Sequence, residues 1–109
     1  MQRMGMVLGI RPEGIAEYKR LHADVWPEFL ALLSDHGITN YTIFLREPEN
    51  LLFGYWEYVG RDFEADMKIM AASPLTEKWN VLCMPLQQPL PTIQSGEWWA
   101  PMEGVFHLD

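Results

Sequence analysis

Residues 38–59, ITNYTIFLREPENLLFGYWEYV, decide the fold. Two runs rich in β-branched and aromatic residues, 38–45 and 51–59, flank the polar stretch REPEN. Runs of this kind bounded by turn residues predict two strands joined as a hairpin. Toward the N-terminus, His36-Gly37 closes a segment in which Ile15, Tyr18, Leu21, His22, Val25, Trp26, Phe29, Leu30 and Leu33 recur at steps of three and four. That period is an amphipathic helix, with Pro12 suited to its first turn and Gly37 to the residue past its end. Pro27 lacks an N–H and disfavours helical backbone just before it, so a kink or a junction of two helices is expected near Asp24–Trp26. Before the helix, RMGMVLGI (3–10) sets Met4, Met6, Leu8 and Ile10 against Gly5, Val7 and Gly9. This period of two is a strand, and its small residues admit close packing on one face.

Toward the C-terminus, Gly60 breaks the chain and Asp62 is a candidate N-cap for a helix carrying Phe63, Met67 and Met70. Ser73-Pro74 offers a new cap with Pro in the first turn, ahead of an apolar stripe of Leu75, Trp79 and Leu82 or Cys83. The next stretch, MPLQQPLPTIQSGEWWAPMEG, has four prolines and no period and reads as extended; VFHLD (105–109) alternates and predicts a closing strand. Strand, helix, strand, strand, helix, strand is an α+β order, the split β-α-β of ferredoxin-like folds. Helices on one face leave the other bare, and a two-fold dimer is the commonest cover.

At 109 residues the chain is one domain. Its 49% hydrophobic and 21% charged content excludes a disordered chain. Eight Lys+Arg against 15 Asp+Glu, a net charge of −7, argues against nucleic acid and against an anionic membrane surface as partners. No run approaches the roughly 18 apolar residues of a membrane span, and the N-terminus lacks the pattern of a signal peptide. A cytoplasmic location is therefore expected. Cys83 is the one cysteine, so neither an intrachain disulfide nor a cysteine zinc site is available. His22, His36 and His107 lack metal-pair spacing, and no G-x-S-x-G, P-loop or dinucleotide motif occurs. No metal and no cofactor are expected.

The candidate chemistry starts with Tyr18 and His22, which are four apart and share one helix face. A phenol beside an imidazole can bind a hydroxylated ligand and exchange protons near neutral pH. Simple packing of the helix stripe accounts for the same spacing. His36 suits a helix C-terminus, and His107 has no recognisable partner. Tyr41, Tyr55, Trp56, Tyr58, Trp79, Trp98 and Trp99 supply flat rings that stack on sugars or fill a core or interface. Taken alone, these residues indicate a small dimer with a polar-aromatic pocket and name no substrate.

Five segments carry a resemblance over nearly the whole chain: EYKRLHADVWPE (17–28), HGITNYTIFL (36–45), NLLFGYWE (50–57), EKW (77–79) and EGVFHLD (103–109). The most specific is H-x₃-W-P-E at 22–28. On these the chain resembles the L-rhamnose mutarotase family. The resemblance implies a dimeric ferredoxin-like α+β barrel that interconverts the α and β anomers of L-rhamnose. It implies that His22 is the proton donor and that Tyr18 and Tyr41 contact the sugar. The family usually has two adjacent tryptophans in the third helix; here Trp79 keeps the first and Asn80 stands at the second. Both are carried over as substrate-binding positions, with Trp98-Trp99 as candidates to replace the missing ring. The alternatives are a cofactor-free monooxygenase of the same barrel type and a non-enzymatic dimeric module binding a sugar or effector.

Overall fold

A computed structural model describes all residues 1–109. The first strand, β1, runs Gln2–Ile10, and two helices follow, α1 (Ile15–Ala23) and α2 (Pro27–Asp35). The expected junction is present. Pro27 begins α2 and Trp26 before it is extended, at φ −56° and ψ 128°, as the residue preceding a proline must be. Gly37 ends the pair at φ +83°, where a Cβ would also come within 2.7 Å of the Gly60 nitrogen. Conformation and close approach both demand glycine there.

The hairpin is β2 (Ile38–Arg46) and β3 (Leu51–Tyr58). Helix α3 (Phe63–Ala72) is capped by Asp62, whose side chain accepts from the Ala65 N–H at 3.2 Å. Helix α4 (Pro74–Cys83) is capped by Ser73, which accepts from the Leu75 N–H at 3.2 Å. Two short strands complete the chain, β4 (Gln87–Gln88) and β5 (Ala100–Met102). The sheet order is β2-β3-β1-β4, all antiparallel, with β5 also on β1. This is the ferredoxin-like order, with a fourth strand split in two.

The closing strand expected at 105–109 does not form. The free edge of β1 is taken by β4 at Gly9–Ile10 and by β5 at Gly5–Val7. Alternation makes a strand only where a paired edge is available. Residues 103–109 instead run on without regular structure, and Asp109 reaches Arg3 at 3.8 Å.

Cross-strand register fixes which face is which. Met4 opposes Trp56, Met6 opposes Gly54 and Leu8 opposes Leu52, and this face meets the helices. Ile38, Trp56, Tyr58 and Met70 form one core cluster, Ile10, Tyr18 and Leu52 a second, and Phe29, Trp79 and Cys83 a third. A bulge between Thr39 and Thr42, with Asn40 at φ +50°, shifts the phase of β2. Tyr41 is thereby brought to the helix side, its ring 6.4 Å from that of Trp56.

Candidate active site

The site is built on the third core cluster and on the face of α1 that meets it. Tyr18 and His22 lie one turn apart, and their rings stack with centroids 4.1 Å apart and planes 27° apart. The edge of Trp79 meets the His22 ring at 5.2 Å. Trp79 is itself held by Trp26 at 5.2 Å and by Phe29 at 5.5 Å. The Pro27 junction thus has a positional effect, since it turns Trp26 and Phe29 onto Trp79 while α1 presents His22.

The His22 Nδ1 lies 2.8 Å from the Tyr18 carbonyl oxygen. A carbonyl can only accept, so Nδ1 carries the proton and Nε2 of the neutral ring keeps a free lone pair. Burial holds the His22 pKa below its ordinary value, opposed in part by that backbone hydrogen bond. At neutral pH the ring is an uncharged base with its lone pair on Nε2.

The neighbouring acids are uncharged as well. Burial raises the Tyr18 phenol above its usual range, with Tyr41 and Cys83 adding to the effect and the Gln87 amide working against it. Tyr41 leaves 40% of its surface exposed along the bulged strand, but its hydroxyl is desolvated and pushed up to about 12, with Cys83 adding to the rise. Burial raises the Cys83 thiol to about 11. A cluster of neutral hydrogen-bonding groups edged by aromatic rings suits an uncharged polyhydroxylated ligand and disfavours an anion.

Of the residues expected from the sequence, Tyr18 stacks on His22 and His22 meets the edge of Trp79, while Tyr41 adds to the rise of the Tyr18 phenol. Asn80 is not among them. It is exposed and lines a groove of about 720 Å³ on the outside of α4, with Ala71, Glu77, Val81, Met84 and Pro85. A helical turn that points Trp79 inward places the next residue about 100° round, which explains the divergence. That groove lacks the phenol, imidazole and thiol of the inner cluster. His36 binds the Leu32 carbonyl at 2.9 Å as a helix-end residue, and His107 pairs with Asp109 at 2.8 Å. No group of three or more His, Cys, Asp or Glu side chains is arranged to hold a metal ion.

The residue that sequence reasoning missed is Gln87, buried in β4 with 5% of its surface exposed. Its Oε1 accepts the Trp98 indole N–H at 2.8 Å. Trp99 packs against the Ile10, Tyr18 and Leu52 cluster, over Gly54, where a Cβ would come within 3.2 Å of its ring. One of the two late tryptophans therefore reaches the Tyr18 neighbourhood directly and the other through Gln87. The only sequence signal was a polar pair in an otherwise apolar, proline-rich stretch.

An antiparallel sheet in this order, with helices over one face and a cluster of polar and aromatic groups between them, places the protein among the ferredoxin-like α+β barrels. Solved structures agree. An L-rhamnose mutarotase from Formosa agariphila superposes with a TM-score of 0.80 at 26% identity, covering 100% of both chains. Tetracenomycin F2 cyclase from Streptomyces glaucescens gives 0.71 at 15% identity, a likeness of fold alone. A family model described as L-rhamnose mutarotase matches residues 3–108, and the chain belongs to the L-rhamnose mutarotase family. It is 32% identical to an L-rhamnose mutarotase of Oceanobacillus iheyensis, over 100% of both chains. It is 33% identical to one from Yersinia pestis, over 96% of this chain and 80% of that protein.

Proposed function

We propose that residues 1–109 act as one catalytic domain that interconverts the α and β anomers of L-rhamnose by opening and closing the sugar ring. The observation that carries the reading is the His22 imidazole, fixed through Nδ1 to the Tyr18 carbonyl with Nε2 free, inside a family whose members act on this sugar. Nε2 takes the proton of the C1 hydroxyl as C1=O forms and the C1–O5 bond breaks. The imidazolium so formed returns that proton to O5, the neighbouring oxygen on C1. The open aldehyde turns about C1–C2 and recloses on its other face by the same steps in reverse. His22 thus serves as base and then as the donor that the family resemblance implies.

Tyr18 keeps its own proton, because burial raises its pKa, and supports the developing charge on O5 as a hydrogen-bond donor. Tyr41 and Trp79 complete the substrate contacts, one by its hydroxyl and one by its ring. The reaction consumes no electrons, so the reading requires no cofactor. Asn80 has no part in it.

The working form is a homodimer joined through the open sheet face. Support comes from Phe44, 63% exposed in β2, from the exposed Met102 of β5, and from a C-terminal tail whose Phe106 is 83% exposed. Apolar side chains gathered this way favour a second copy. No helix of the protein is long and apolar enough to cross a membrane. The free, buried Cys83 thiol is compatible with the cytoplasm as the location.

The deciding experiment is proton NMR exchange between the anomeric signals of L-rhamnose, with and without protein. Faster exchange with protein is expected, and an unchanged rate refutes the assignment.

A further inference from the structure

The side of the sheet that faces the helices is not evenly covered. Leu8, Leu52 and Ile10 are buried there, but one row is left partly open. In that row Ile43 of β2, Gly54 of β3 and Met6 of β1 stand opposite one another, with Pro101 of β5 beside Met6. Ile43 and Met6 are only half-buried, although they lie on the core face. Gly54 has no side chain, and the Trp99 ring reaches in from the β5 side over its place. A Cβ there would lie 3.2 Å from Trp99 Cζ3 and 3.1 Å from Met6 Cγ. Trp99 is half-buried too, and with Ile43 it packs against the Ile10, Tyr18 and Leu52 cluster. The result is an apolar shelf with no polar side chain in it, adjoining the Tyr18 end of the site. Apolar side chains left half-open beside a polar cluster suit the apolar part of a ligand.

We infer that Trp99, Met6 and Ile43 form the subsite for the C6 methyl group of the sugar, and that Trp99 is the residue that makes the enzyme prefer a 6-deoxy sugar. The inference rests on the sugar reading above and deepens it. L-Rhamnose carries a methyl on C5 where most hexoses carry a hydroxymethyl group. C5 also bears the ring oxygen O5, so a group that donates to O5 has the methyl as its neighbour. Tyr18 is that group, and the shelf packs on its cluster. Burying the methyl there is favourable, whereas a C6 hydroxyl on the same shelf loses its water and finds no partner. Gly54 is what admits the indole, because a side chain at that position would meet Trp99 and Met6 at once.

The test compares three sugars with the same ring hydroxyls: L-rhamnose, L-mannose with a hydroxyl on C6, and L-lyxose without C6. Proton NMR exchange gives kcat/KM for each, and ratios taken within one protein cancel any loss of folded enzyme. Wild type should favour L-rhamnose over L-lyxose by roughly tenfold or more, and over L-mannose by about ten- to a hundredfold. Trp99→Ala should bring both ratios down toward one. Met6→Gln keeps the side-chain length and adds an amide that can pair with a C6 hydroxyl, so it should raise L-mannose against L-rhamnose. Gly54→Ala should cut L-rhamnose more than L-lyxose, because the added methyl pushes Met6 and Trp99 toward the sugar's own.

Ratios that keep their wild-type values in Trp99→Ala and Met6→Gln overturn the inference. A wild type that speeds L-rhamnose and L-lyxose alike also overturns it and leaves the sugar reading standing. A wild type that speeds none of the three overturns the sugar reading and the subsite with it.

Discussion

Replacing His22 with Asn tests the chemistry with little damage to its frame. The Asn carboxamide N–H₂ can stand where Nδ1 stands, so the bond to the Tyr18 carbonyl is kept while the Nε2 lone pair is removed. The ring is lost, and with it the stack on Tyr18 at 4.1 Å and the edge contact with Trp79 at 5.2 Å. Two aromatic contacts at roughly 0.5–1.5 kcal/mol each give a stability loss of about 1–3 kcal/mol. For a domain of this size each kcal/mol lowers the melting temperature by roughly 4–8 °C. Loss of a general acid–base group should slow exchange ~10²–10⁴-fold, or about 3–5 kcal/mol of barrier. The two effects read out separately. Thermal melts locate the folded range, and NMR exchange rates are taken well below it. A folded His22→Asn protein exchanging anomers near the wild-type rate would remove His22 from the mechanism.

Four other outcomes follow from the same geometry. The exchange rate should be flat above neutrality and fall in acid with a midpoint below pH 6.5, because burial depresses the His22 pKa; a midpoint above that value contradicts the buried-base reading. The sign for stability agrees: the unfolded chain binds the His22 proton more readily, so this contribution is complete above the unfolded pKa and is lost as pH falls through the folded one. In melts taken across that range, His22→Asn should remove this component. Trp79→Ala empties the centre of a buried cluster and should cost about 3–5 kcal/mol by denaturant unfolding, a loss under about 1 kcal/mol being incompatible with its packing on Trp26 and Phe29. Phe44→Glu puts a charge on the open face and should yield monomers by light scattering, with unchanged dimers placing the interface elsewhere.

Most of the fold was legible because local signals agreed with one another. The period-two run at 3–10, Pro27 at a helix start, Gly37 past a helix end and the caps Asp62 and Ser73 all stand where the sequence predicts. The end of the chain was not legible, because pairing is a property of neighbours. VFHLD has a strand's alternation, but the second edge of β1 is already filled by β4 and β5 from the proline-rich stretch. Within the site, Tyr18 and His22 were readable from helical spacing. Tyr41 stood among the candidate aromatic rings, but its face was not readable from its strand, since a straight strand would put it opposite Ile38 and the bulge at Asn40 reverses that. Asn80 shows the converse. Adjacency to Trp79 in sequence means divergence on a helix, and Asn80 lies on the outer side of α4, away from Trp79's neighbours.

The absence of charge in the inner cluster joins fold to reaction. Ring opening moves one proton between two oxygens on the same carbon, so a catalyst needs a base of modest strength, a donor that does not ionise, and a surface that holds a hydroxylated ring. Burial supplies the first two at once. It lowers the imidazole toward its neutral form and raises the phenol away from its anion. The same burial would make an unpaired carboxylate or ammonium costly there, which is why carboxylates of this acidic chain serve as Asp62 at a helix cap and Asp66 on the Tyr58 hydroxyl, outside the cluster. A desolvated imidazole held by a backbone carbonyl keeps its free lone pair further into acid because it is buried. Exposing it should shift the acid limb of the rate toward the ordinary histidine value before it changes anything else.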